Sequence, residues 1–155
     1  MKKYELTEET TNIFGKTLHR IRATRDFSNV HAGDLGGFIE DERNLSHDEN
    51  AWVCGNALVG GNAWVSGDAW VGGDALIKGT WDIFWISHIG SRDGTTTFFR
   101  NADNGISVSC GGFYGTIDEF AAAVTKTHGD NEHAQAYRHA IEIAKLRIKL
   151  GAAES

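Results

Sequence analysis

The sequence predicts a mainly β chain with an α-helical C-terminal part. Three observations lead there: a six-residue repeat over residues 50–79, 19 glycines with no proline in 155 residues, and two late segments with helical spacing and capping residues. Without proline, turns fall to Gly, Asn and Asp, whose tolerance of positive φ suits many tight corners. At 41% hydrophobic and 23% charged, the chain has the composition of one ordinary globular domain or two small ones.

Residues 1–43 read as a small antiparallel β cap. Extended segments are expected around Lys3–Leu6 and over Thr17–Thr24, where Leu18 and Ile21 favour a strand. The segment ends in Gly33-Asp-Leu-Gly-Gly-Phe-Ile39, a glycine-dense entry to the repeat.

Residues 44–79 carry the repeat. Its five consecutive units are NAWVCG, NALVGG, NAWVSG, DAWVGG and DALIKG. The first column is Asn or Asp, the second Ala and the last Gly; the fourth is Val53, Val59, Val65, Val71 and Ile77. A period of six with a turn former in every unit fits short strands joined by corners, and fits neither a helix nor a plain amphipathic strand. The pattern resembles the hexapeptide repeat of left-handed parallel β-helices. That resemblance implies three units per triangular turn, so that residues 18 apart stack, the aliphatic column points inward and Ala fills each corner. The third column, Trp52, Leu58, Trp64, Trp70 and Leu76, then points outward, because side chains alternate along a strand. An apolar surface of that kind needs a cover. The cover is expected to be the rest of the chain together with other subunits, which makes these five residues the expected oligomer interface. About two turns make a marginal solenoid, so caps and a homo-oligomer, a trimer by analogy, are expected.

Residues 80–155 read as a β-meander followed by two helices. Trp81–Ile89, Thr95–Arg100 and Ile106–Cys110 are strand-like and separated by Gly-bearing turns. Thr116-Ile-Asp-Glu119 is a capping box that starts a helix running to about Thr127, with Gly129 as its stop. Asp130 is expected to cap a second helix, on which Tyr137, Ile141, Ala144 and Ile148 recur at helical spacing. The expected fold is therefore a short left-handed parallel β-helix with an α+β cap.

The run from Gly33-Asp-Leu-Gly-Gly-Phe-Ile39 through Asn44-Leu-Ser46 and the hexapeptides resembles phage, prophage and enterobacterial left-handed β-helix proteins, most of them uncharacterised. Ile89-Gly-Ser-Arg92, Gly94-Thr95, Gly115-Thr-Ile-Asp-Glu-Phe120 and Thr127-His-Gly-Asp-Asn131 resemble the C-terminal part of the phage members. The resemblance implies a phage context and no established activity. It leads to the expectation of a non-catalytic oligomeric binding protein. Such a protein would inhibit a host defence factor, either by occluding a protein or by capturing an anionic ligand such as a nucleotide. A hexapeptide acyltransferase and a structural trimerisation module are the alternatives.

The expected ligand site lies in the C-terminal turns. Ser91 and Arg92 form a polar turn after an apolar strand, Thr95 adds a hydroxyl, and His128 and Asn131 sit at a helix junction. A helix N-terminus opening at Asn131, with Arg92 nearby, would offer N–H donors and a cation to phosphate or carboxylate. An acyltransferase would need a catalytic histidine among the repeats, and residues 50–79 hold none. His128 and His133 are five apart and His133 and His139 six apart, so neither pair has the helical spacing of metal ligands, and no metal or cofactor is expected. A Cys110 nucleophile served by His88 or His128 is a further, weaker idea.

The net charge of −6 is spread along the chain, with no basic footprint for duplex nucleic acid. Only Asp68 and Asp74 are charged in the first repeat column, too few to mimic a phosphate array. There is no run of about 18 apolar residues, and the start Met-Lys-Lys-Tyr-Glu lacks the apolar stretch of a signal peptide. With two cysteines, Cys54 and Cys110, the expected compartment is the reducing cytoplasm of a bacterial host.

Overall fold

The structure, a computed structural model, describes residues 2–148 and 150. The chain divides after Thr80 into two compact units.

The first unit opens with a long hairpin, β1 (Tyr4–Ile13) and β2 (Lys16–Ala23), paired antiparallel. Phe14 and Gly15 make its two-residue turn, both at positive φ (53° and 77°). That is the turn whose twist matches paired strands. β2 pairs antiparallel with β3 (Leu35–Ile39), and β3 then pairs parallel with β5 (Leu58–Val59), which pairs parallel with β7 (Leu76–Ile77). β4 (Trp52–Val53) and β6 (Trp70–Val71) form a separate parallel pair.

The expected left-handed parallel β-helix is not the architecture. Among the described residues, eleven strands lie in three sheets of five, four and two, none closed or wound as a solenoid, and the largest is mostly antiparallel. The reason is one of strand length. Each hexapeptide strand is two residues long, while β1 and β2 are ten and eight and set the direction of the sheet they share with β3. Around Val65 the repeat makes only a single parallel bridge, to Leu45.

What the repeat does fix is local. Ala51, Ala57, Ala63, Ala69 and Ala75 are buried, as are Val53, Val59, Val65, Val71 and Ile77. Trp52 lies beside Trp70, and Leu58 beside Leu76, at the 18-residue offset. The last glycine of a unit turns the corner. Gly61 has φ +62°, and a Cβ there would stand 2.1 Å from the Lys78 carbonyl oxygen, so the position excludes every other residue.

The second unit is a four-stranded antiparallel meander with two helices. β8 (Ile83–Ile89), β9 (Gly94–Arg100), β10 (Ile106–Cys110) and β11 (Phe113–Thr116) lie in the order β11-β10-β9-β8. The sequence pattern marks three of these; β11 is four residues long and holds one glycine, too short and weak a signal to be read as a strand. α1 (Ile117–His128) starts at the Thr116/Glu119 capping box and stops at Gly129. α2 (Glu132–Arg147) is capped by Asn131, whose side chain accepts the Ala134 N–H; the expected cap, Asp130, sits one residue too early and pairs with Arg138 instead. Phe98, Val108, Phe120, Val124, Tyr137, Ile141 and Ala144 share one core between sheet and helices.

Candidate functional site

The turn that carries Ser91 and Arg92 joins β8 to β9, and both residues are exposed. Thr95 pairs its hydroxyl with that of Ser87 at 2.8 Å. His128 ends α1 half-buried, with its ring stacked on Tyr137 at 5.9 Å between centroids. The Tyr137 hydroxyl in turn lies against Gly90, where a Cβ would come within 1.9 Å of it. The Gly90 turn and the helix junction therefore meet the same ring, which brings two of the expected site segments into one neighbourhood.

The chemistry there is less suited to an anion than the sequence suggests. Asn131 is engaged as the cap of α2, and the acidic Asp130 and Glu132 flank it. The Cys110 thiol accepts from the Thr96 hydroxyl at 3.1 Å and sits 3.8 Å from the Tyr137 hydroxyl. Burial, and then Cys110, push that phenol up to about 12. His128 packs on the Tyr137 ring, while His88 pairs with Asp93 at 3.3 Å on an exposed turn. The partners recorded for Cys110 are thus hydroxyls, which activate no nucleophile. Among the described residues, no three His, Cys, Asp or Glu groups are placed to hold a metal ion.

A groove that the sequence did not single out lies in the first unit. It has a volume of about 580 Å³ and is lined by Glu42, Arg43, Leu45, Ser46, His47, Asp48, Asn62 and Trp64. A short 3-10 turn, Glu42–Asn44, forms one wall behind an Asp41/Asn44 capping box. Asn44, fully buried, ties that wall to the repeat by donating to the Ala63 carbonyl at 2.8 Å and the Gly61 carbonyl at 3.2 Å.

Lys3 holds the other end of the wall. Its side chain is buried and donates to the carbonyls of Ala51 (2.5 Å), Asp48 (3.4 Å) and Glu49 (3.4 Å). Its ammonium lies 4.8 Å from the centre of the Phe27 ring. Burial, helped by the nearby Arg25 charge, lowers its pKa from 10.5 to about 8. The Lys3 backbone N–H also donates to His47 Nδ1 at 3.0 Å. Because that donor cannot accept, Nδ1 carries no proton and Nε2 donates to Glu42, 2.7 Å away. The His47 ring stacks on Tyr4 at 4.1 Å and 11°. Both nitrogens of His47 are therefore engaged, and the pair orients a wall more readily than it moves a proton. Hydrogen bonds from Lys2 and His47 hold the Glu42 carboxyl below its usual range.

No protein-family model matches the chain, and no curated protein matches it. Neither comparison bears on the phage-type resemblance.

The third repeat column does not behave as one surface. Trp52 is 2% exposed and packs on Phe27 (5.2 Å) and Tyr4 (6.4 Å) within its own unit. Trp70, Leu58 and Leu76 are half-buried. Trp64 alone of the five is largely exposed, at 56%, and it forms one side of the groove. The capping pattern at Asp41–Asn44 was a readable signal for the wall; that Lys3 and Tyr4 come to His47, more than 40 residues on, was not.

Proposed function

We propose that the protein is a non-catalytic binding protein of phage or prophage type that inhibits a host defence factor by occluding a protein surface, with the Trp64 groove as its contact. The observation that carries this reading is the 56% exposure of Trp64 beside a wall whose polar groups are already satisfied. A large aromatic ring with a polar rim is the composition of a protein–protein anchor. Occlusion is favoured over capture of a small anion because the groove's cation is neutralised: Arg43 pairs with Asp41 and Glu40. The phage setting rests on the sequence resemblance, and the bacterial cytoplasm on a chain with two cysteines and no disulfide framework. A homo-oligomer through the Trp/Leu column has less support, because Trp52 is covered within its own unit.

The test is plating efficiency of a restricted phage on a defended bacterial host that expresses the chain. Wild type should raise plating, and Trp64→Ala should lose most of that effect at unchanged thermal midpoint and expression. Equal protection by Trp64→Ala, or none by wild type, rejects the reading.

A further inference from the structure

β8 is an edge of the second unit's sheet and has a strand neighbour, β9, on one side only. Alternate N–H and C=O groups along it therefore point away from the sheet. Such an edge templates pairing with a further strand unless charge, proline or a bulge blunts it. The chain's other long edge is blunted: β1, ten residues long, carries Glu5, Glu8 and Glu9 and breaks register between Leu6 and Thr10. β8 is not. From Ile83 to Ser87 it has no charge and no proline, and it keeps an unbroken register against Phe99 to Thr95. Its bulge comes only beyond Ser87, around His88 at φ +59°. The remaining edges, on β4, β6 and β7 with two residues each and on β11 with four, offer little length to a partner.

Two further observations say what pairs with β8. The first is where α2 crosses it. The Tyr137 hydroxyl lies against Gly90 at one end of the strand, and the Arg147 guanidinium stacks 4.3 Å over the Trp81 ring at the other. Halfway between Trp81 and Gly90 is Trp85; halfway between Tyr137 and Arg147 is Glu142, next to Ile143. Ile143 precedes Arg147 by one helical turn, so it shares that side of α2, and it is 41% exposed. A bare isoleucine thus stands level with the middle of the bare edge, where a twofold axis through Trp85 sets it opposite Ile143 of a second copy.

The second observation is that the strand is complementary to itself about the same axis. Phe84 and Ile86 pack on the helix side, so Ile83, Trp85 and Ser87 take the other face. Antiparallel pairing of two copies places Trp85 opposite Trp85 and Phe84 opposite Ile86. These are the aromatic and aromatic–branched pairs that stabilise neighbouring strands, and no like charges meet. A foreign strand is selected by side-chain pockets or charges beside the edge, and Ile83–Ser87 supplies no charge.

We propose that the protein forms a twofold dimer through β8, joining two four-stranded sheets into one continuous antiparallel sheet with Ile143 of each α2 in contact across the axis. An interface of this kind closes at two copies. It lies apart from the Trp/Leu column and does not depend on the function proposed for the Trp64 groove.

Sedimentation equilibrium of the full chain, from about 1 µM to about 500 µM, together with amide hydrogen exchange over β8, tests this. A dimer is expected, in which the amides of Ile83–Ser87 that β9 leaves unpaired are protected; in the monomer they exchange freely. Ile143→Glu changes an exposed side chain, so a single chain keeps its fold, and it sets two carboxylates face to face on the axis. It should weaken the dimer at least about tenfold. Trp85→Lys should weaken it in the same way by opposing two ammonium groups, with circular dichroism checking the fold of each variant. Trp64→Ala should leave the dimer unchanged, so the edge and the groove fail separately. The proposal is overturned by a monomer throughout that range, by a trimer or larger assembly, or by Ile143→Glu associating as tightly as wild type. It is equally overturned by a dimer whose β8 amides exchange freely, or by protection of those amides in the monomer, which would make another segment of the same chain the cover.

Discussion

The two units are cored in opposite ways. In the repeat of the first, two residues per hexapeptide, an alanine and a valine or isoleucine, are buried in fixed columns, alongside the rings of Tyr4, Phe27 and Trp52. In the second, large rings meet from distant parts of the chain: Phe98 with Phe84 and Phe120, and Phe120 with Phe113 and Tyr137. The comparison teaches that a repeated core spreads stability over many modest contacts and relies on backbone corners, while an aromatic core concentrates it in a few side chains. The first kind is visible in sequence because its labels recur. The second is not, because no period marks which ring meets which.

Substitutions can break this contrast, and the largest effect belongs to the aromatic core. Phe98→Ala should destabilise the second unit by about 4 kcal/mol, against about 2 kcal/mol for Val65→Ala in the first, both read by denaturant unfolding with probes local to each unit. Equal losses would mean that the repeat is as concentrated as the meander. Lys3→Ala comes next, at about 3 kcal/mol, since it leaves the buried Ala51 carbonyl and the part-buried carbonyls of Asp48 and Glu49 without their donor. Its hydrogen-exchange signature should be fast exchange confined to the first unit.

Corners give the next comparison. Gly61→Ala meets both the left-handed backbone and the Lys78 carbonyl, whereas Gly111→Ala, at φ +57° on the β10–β11 turn, meets open space. About 1 kcal/mol is expected for Gly111→Ala and clearly more for Gly61→Ala, measured by thermal unfolding. A reversed order would show that the repeat's corners yield more easily than the packing implies.

The smallest effect is one of pH. Lys3 has its pKa lowered from 10.5 to about 8, so between those values the unfolded chain holds more protons than the native one. Stability should therefore rise with pH across that window. Tyr137 acts in the opposite sense. Its pKa is raised from 10.0 to about 12, so its contribution is fully present below pH 10 and lost as pH climbs through 12. Lys3→Met should flatten the rise between pH 8 and 10 for the first unit and leave the second unit's profile untouched; an unaltered slope would show that Lys3 does not titrate there.

Much of the local structure was legible. The Thr116/Glu119 box follows from spacing and residue type, and the buried Ala and Val columns with the 18-residue neighbours Trp52/Trp70 and Leu58/Leu76 from what the hexapeptide resemblance implies. The global architecture was not, because hexapeptide spacing says nothing of the antiparallel β1, β2 and β3 that share a sheet with β5 and β7. For the candidate site, the turn at Gly90 and His128 both meet Tyr137, a ring the sequence reading placed only in the core, and the role of Asn131 as a cap depended on one residue of register. The Trp64 groove was out of reach because its wall is held by Lys3, whose burial no local pattern announces.

The parallel pairs of the repeat also carry a kinetic meaning. The β1–β2 hairpin closes over a two-residue turn, an event of microseconds. Each repeat pair, such as Trp52 with Trp70 or Leu58 with Leu76, must instead close the same longer loop and gains only two residues of pairing for it. The hairpin therefore closes at far lower entropic cost than any repeat pair, and the repeat pairs are where the first unit gains least pairing for the loop it must close.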